Sequence, residues 1–133
     1  MLKDKRILVV EDEALLALSI EDVLIDARAE VVWRAGSVRE ALTLIDAILP
    51  QGAISAAVLD VNLGGEMVWP VADLLRAHAV PFVLHTAYQD LVTDPEQAAL
   101  YKPCSLHRLV EVVSALAHQP QVNLSTNDYQ FPG

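Results

Sequence analysis

Short apolar runs recur along the chain, and three of them end in polar groups. Arg6-Ile7-Leu8-Val9-Val10 meets Glu11-Asp12-Glu13, Ala56-Ala57-Val58-Leu59 meets Asp60, and Pro81-Phe82-Val83-Leu84-His85 meets Thr86. Runs without polar alternation mark strands buried on both faces of a parallel sheet. Glu30-Val31-Val32-Trp33-Arg34, β-branched and aromatic, is expected to be the second strand, stopped by Gly36. Ala98-Ala99-Leu100-Tyr101 is expected to be the fifth, ended by Lys102-Pro103.

Between the runs the apolar period changes to that of a helix. Leu16, Ile20, Val23, Leu24 and Ala27 share a face opposite Glu21, Asp22 and Asp26, with Asp12 expected as N-cap. Ser37-Val38-Arg39-Glu40 has the form of a capping box and opens a helix whose apolar side is Ala41, Leu44, Ile45 and Ile48, closed by Pro50 and Gly52. After Gly64-Gly65, the residues Val68, Val71, Ala72 and Leu75 repeat the pattern, with Pro70 in the first turn. Ser105 is expected to cap a last helix with Leu106, Leu109, Val110, Val113 and Leu116 inside. From Tyr88 to Leu100 no apolar face is sustained, so at most a short or irregular fourth helix fits there. Strands alternating with helices predict an α/β fold, a doubly wound five-stranded parallel sheet.

At 133 residues and 53% hydrophobic, one domain with one core is expected, spanning 1–118, with 119–133 a disordered polar tail. The net charge of -9, from 18 acidic and 9 basic residues, argues against direct binding of nucleic acid and against anionic membrane surfaces. Cys104 is the only cysteine, which precludes an internal disulfide. Met1-Leu2-Lys3-Asp4 lacks the apolar core of a signal peptide, and no run approaches the roughly 20 residues that cross a bilayer. A cytoplasmic location is expected.

The polar groups at the strand ends belong together. In an open α/β sheet, ligands sit beyond the carboxyl ends of the strands. Glu11, Asp12, Asp60, Thr86 and Lys102 all fall there. Asp60 taken alone reads as a turn or capping residue; the other strand ends give it company. Carboxylates this close repel unless a cation joins them, and oxygen ligands suit Mg²⁺. With the cation, Asp60 can act as nucleophile toward a phosphoryl group and become an aspartyl phosphate. Lys102 supplies a point charge to that group and Thr86 a hydroxyl. His78, His85, His107 and His118 are scattered and are not read as metal ligands, His85 being taken as a strand-end histidine. Cys104 is read as a small packing residue, Trp33 and Trp69 as packing or partner-contact residues, and the glycines match no phosphate loop.

In this order the acidic pair, the Asp, Thr86-Ala87 and Lys102-Pro103 make residues 5 to 118 resemble the receiver domain of bacterial two-component response regulators. The resemblance implies a flavodoxin-like fold with strand order 2-1-3-4-5. It implies Asp60 as phosphoacceptor, with Mg²⁺ held by Glu11, Asp12, Asp60 and the main-chain carbonyl of Asn62. Thr86 and Lys102 would contact the phosphoryl group, and Lys102-Pro103 would be a cis peptide. The implied partners are a sensor histidine kinase and a downstream protein, unless the chain serves as a phosphate sink. Such a domain is no enzyme beyond its own phosphorylation and dephosphorylation.

Asp60-Val61-Asn62-Leu63, Trp69-Pro70-Val71-Ala72-Asp73 and the stretch from Val80 to Tyr88 are similar to the stand-alone FAT GUY branch. Leu84, His85 and Ala87 replace that branch's Phe, Ala and Gly. The likeness implies kinases of the HWE type. Ala99 stands where most receivers carry an aromatic switch residue, which leaves Tyr88 as a candidate for part of that role. Two rivals remain at this point. A haloacid-dehalogenase-like phosphatase would need an acid/base Asp where Asn62 stands. A phosphorylation-independent pseudo-receiver would fit Ala99 and the shortened fourth-helix region.

Overall fold

The computed structural model describes residues 1–120. The expected tail from 121 to 133 lies outside the described residues. β1 (Arg6–Val10), β2 (Val31–Ala35), β3 (Ala56–Leu59), β6 (Phe82–Thr86) and β7 (Ala99–Tyr101) form one parallel sheet in the order β2-β1-β3-β6-β7. A small hairpin, β4 (Asn62–Leu63) with β5 (Glu66–Met67), stands apart from it. Counting only the strands of the main sheet, the order is the expected 2-1-3-4-5, the flavodoxin-like receiver fold.

Successive residues of the inner strands serve opposite faces. Ile7, Val9, Ala56, Val58 and Val83 pack under α1 (Ala14–Asp26) and α4 (Leu106–Ala117) against Ile20, Leu24, Leu109 and Val113. Leu8, Val10, Ala57, Leu59 and Leu84 pack under α2 (Val38–Ile48) and α3 (Trp69–Ala77) against Ala41, Ile45, Val71 and Leu75. Each buried leucine or isoleucine in these layers contributes on the order of 1.5–3 kcal/mol. The two layers explain why residues 7–10 of β1 and all of β3 carry no polar side chain.

Helix ends follow the sequence with one exception. Ser37 Oγ accepts from the Glu40 amide, and Glu40 Oε1 accepts from the Gly36 amide, closing the box that opens α2. Ser105 Oγ accepts from the Arg108 amide at the start of α4, and Pro70 lies in the first turn of α3. Asp12 does not cap α1. Glu13 occupies that position without a side-chain cap, while Glu11 Oε2 accepts from the Glu13 amide. Both carboxylates are thereby kept at the sheet edge.

Three boundaries move as well. β2 and β6 each begin one residue later than expected, and β7 begins at Ala99. Gly64 and Gly65 take φ of 64° and 99° and turn the β4–β5 hairpin, which the sequence pattern did not predict. Between β6 and β7 the backbone forms just one 3₁₀ turn, Gln89–Leu91. The Gln97 side chain fastens that crossover by donating to the Phe82 and Ala98 carbonyls. No helix among the described residues is long and apolar enough to cross a membrane.

Candidate functional site

Register brings the polar strand ends level. Val10 pairs with Leu59 and Leu59 with Leu84, so Glu11, Asp60 and His85 each emerge one residue beyond the paired rows. Thr86 pairs with Tyr101, which places Lys102 next. Backbone bonds continue past the ladder: the Asp60 amide donates to the Val10 carbonyl at 2.9 Å, and the Lys102 amide to the Thr86 carbonyl at 2.8 Å. Among the described residues, Glu11, Asp12 and Asp60 are the one group whose ligand atoms converge as a metal site would require, all within 4.8 Å.

Lys102 Nζ lies among them. It stands 3.0 Å from Glu11 Oε1, 3.1 Å from Asp60 Oδ2 and 3.6 Å from Glu13 Oε1. Burial opposes its charge, but the bonds to Glu11 and Asp60 outweigh burial and raise its pKa above the ordinary lysine value. Glu11 shows the opposite balance. Its burial, aided by Asp60 and only partly offset by Lys102, pushes its pKa up to about 7. A carboxylate beside others, half-way to protonation at neutral pH, is a group whose charge a divalent cation would relieve. An all-oxygen donor set with an exposed member, Asp12, fits Mg²⁺ on those grounds.

A cavity of about 240 Å³ opens over these groups, lined by Asp12, Glu13, Asp60, Asn62, Gly64, Ala87, Tyr88 and Lys102. The Asn62 amide donates to Asp60 Oδ1 at 3.3 Å, and Asn62 Oδ1 accepts from the Gly65 amide at 2.7 Å. The Asn62 side chain is thus engaged in the hairpin turn. Thr86 is fully buried, its hydroxyl accepting from the Tyr88 amide at 3.0 Å, while Tyr88 is 47% exposed at the cavity wall. Ala99 is not brought to the cavity; it is half-buried opposite Leu84. The Lys102–Pro103 peptide is cis.

Glu13 is the residue that the sequence reading passed over as a site member. Its signal was present, a third acid directly after β1. A larger cavity, about 470 Å³, lies at the opposite edge of the sheet between α3 and the end of α4. It shares no residue with the carboxylate cluster.

Fold and site together define a class: a doubly wound domain with an acidic pocket and a lysine at the carboxyl edge of its sheet. No family model matches the sequence, and no curated protein matches it. Solved structures do. SdrG from Sphingomonas melonis Fr1 is 38% identical, over 87% of this chain and 98% of its own, with a TM-score of 0.68. A response regulator receiver protein from Sinorhizobium medicae WSM419 is 27% identical, over 86% and 94%, with a TM-score of 0.73. The response regulator TrrA from Thermotoga maritima, solved with Mg²⁺ and BeF, is 25% identical over 84% and 98%, with a TM-score of 0.68. The chain belongs to the response regulator receiver family.

Proposed function

We propose that this chain is a stand-alone receiver whose Asp60 accepts a phosphoryl group from a phosphohistidine of a sensor histidine kinase. The observation that carries the reading is the convergence of Lys102 with Asp60 and Glu11 beneath an open pocket. One carboxylate oxygen of Asp60, Oδ1, accepts from the Asn62 amide and the other, Oδ2, from Lys102, so the nucleophile is fixed in direction. When bound, Mg²⁺ would neutralise charge on the transferring oxygens. Glu11, Asp12, Asp60 and the Asn62 carbonyl would hold it. Lys102 and the Thr86 hydroxyl would contact the phosphoryl oxygens after transfer, and recruiting that hydroxyl would disturb its bond from Tyr88.

Receiver domains are signalling modules, and where a haloacid-dehalogenase-like phosphatase would need an acid/base Asp this chain has Asn62, whose amide oxygen accepts from the Gly65 amide. We read residues 1–118 as the receiver unit, of the FAT GUY branch, with a kinase of the HWE type as donor. Its output is through a partner protein or as a phosphate sink, in the cytoplasm and without direct nucleic-acid or membrane binding. The test is the intact mass of the full chain after incubation with Mg²⁺ and acetyl phosphate. A single phosphate adduct, labile to hydroxylamine and absent from Asp60→Asn, is expected. An adduct that persists in Asp60→Asn contradicts the reading.

A further inference from the structure

Two consecutive residues of β6 hold both ends of the loop that carries Lys102. The Thr86 carbonyl accepts from the Lys102 amide at 2.8 Å, and His85 Nε2 lies 3.5 Å from Cys104 Sγ. Pro103, between them, has no amide hydrogen to donate. His85 is 2% exposed and its Nδ1 has no hydrogen-bond partner, so among the described residues the thiol is the polar contact that this imidazole makes. Removing that contact would leave a buried imidazole unsatisfied on both nitrogens, which costs far more than the bond itself contributes.

The protonation states agree with a clasp and not with a reactive thiol. Burial, with the Lys102 ammonium close by, holds His85 below the ordinary histidine range. Burial likewise holds the Cys104 thiol above its ordinary value, against the pull of Lys102. A neutral imidazole and a protonated thiol can share one hydrogen bond, S–H donating to Nε2 in one tautomer and Nε2–H donating to Sγ in the other.

We propose that Cys104 and His85 are positioning residues: their contact closes the Lys102 loop onto β6 and sets the ammonium where it meets a phosphoryl group on Asp60. This rests on the reading of Asp60 as phosphoacceptor. Lys102 ends a long flexible stem, so the ammonium reaches Asp60 and Glu11 together only while its Cα is fixed. Slack of about 1 Å in the loop is enough to lose alignment at a reacting centre.

The test compares wild type with Cys104→Val, which puts a slightly larger apolar side chain in place of the thiol, and Cys104→Ser, which keeps a hydrogen-bonding group. Adduct formation with Mg²⁺ and acetyl phosphate is followed by mass, and the ¹⁵N shifts of the His85 imidazole are recorded on the same samples. Cys104→Val is expected to be slower by about three- to tenfold, with Cys104→Ser within about twofold of wild type. The imidazole is expected to show one neutral tautomer in wild type and Cys104→Ser, and an average of two in Cys104→Val. A valine variant as fast as wild type, or a serine variant as slow as valine, overturns the proposal. Cys104→Ala replaces Cys104→Val if the latter does not fold. Absence of an adduct in wild type would refute the phosphoacceptor reading instead. The imidazole shifts then judge the clasp separately, and a tautomer unchanged in Cys104→Val overturns it.

Discussion

Lys102 Nζ stands 3.1 Å from Asp60 Oδ2, which ties the loop after the edge strand β7 to the end of the inner strand β3. The ammonium also meets buried Glu11, so it is the cation that allows two buried carboxylates to face each other. Lys102→Met, which keeps most of the stem, should lower the metal-free stability by about 1–3 kcal/mol. Urea unfolding measures it, and added Mg²⁺ should recover part of the loss. An unchanged midpoint would mean that the pair contributes nothing to folding.

Glu11 gives a pH dependence of defined sign. Its folded pKa of about 7 lies above the ordinary 4.5, so the folded state holds this proton more tightly than the unfolded chain. The metal-free protein therefore loses stability through this group as pH rises from 4.5 to about 7. His85, held below 6.5, acts in the other direction at lower pH, so the effect is isolated by comparing wild type with Glu11→Gln. Mg²⁺ competes with the same proton. Its apparent affinity should rise about tenfold per pH unit below neutrality and level off above it. Calorimetric titration at several pH values checks this, and a flat affinity from pH 5.5 to 8 would count against Glu11 as a ligand.

Ser37→Ala removes the acceptor for the Glu40 amide at the start of α2, away from the pocket. It should cost about 1 kcal/mol of stability. The rate of adduct formation should stay within about twofold of wild type. Thermal unfolding and the mass assay read the two effects separately. A variant that keeps its stability would show the box to be inessential.

The five-stranded parallel sheet was legible because residues 7–10 of β1 and all of β3 lie between two helix layers and so exclude polar side chains; its strand order followed from the family resemblance alone. The site was legible for a related reason. Glu11, Asp60, Thr86 and Lys102 each stand at or directly after a strand, so strand ends in the sequence were site positions in space. What escaped were contacts without local pattern. The β4–β5 hairpin has two-residue strands, too short for any period. His85 and Cys104 lie 19 residues apart and meet only because β6 and β7 are neighbours. Of the two expectations for Asp12, a helix cap and membership of the acidic group, local rules misplaced the cap, which falls at Glu13, while Asp12 lies in the cluster with Glu11 and Asp60.

The most direct measurement of the central claim is the location of the phosphoryl group. The phosphorylated chain is reduced with borohydride, which converts an aspartyl phosphate to homoserine, and its peptides are sequenced by mass spectrometry. Homoserine at position 60, formed only with Mg²⁺ present, is the result predicted. Conversion at Asp12 or another carboxylate, with residue 60 intact, would contradict the account.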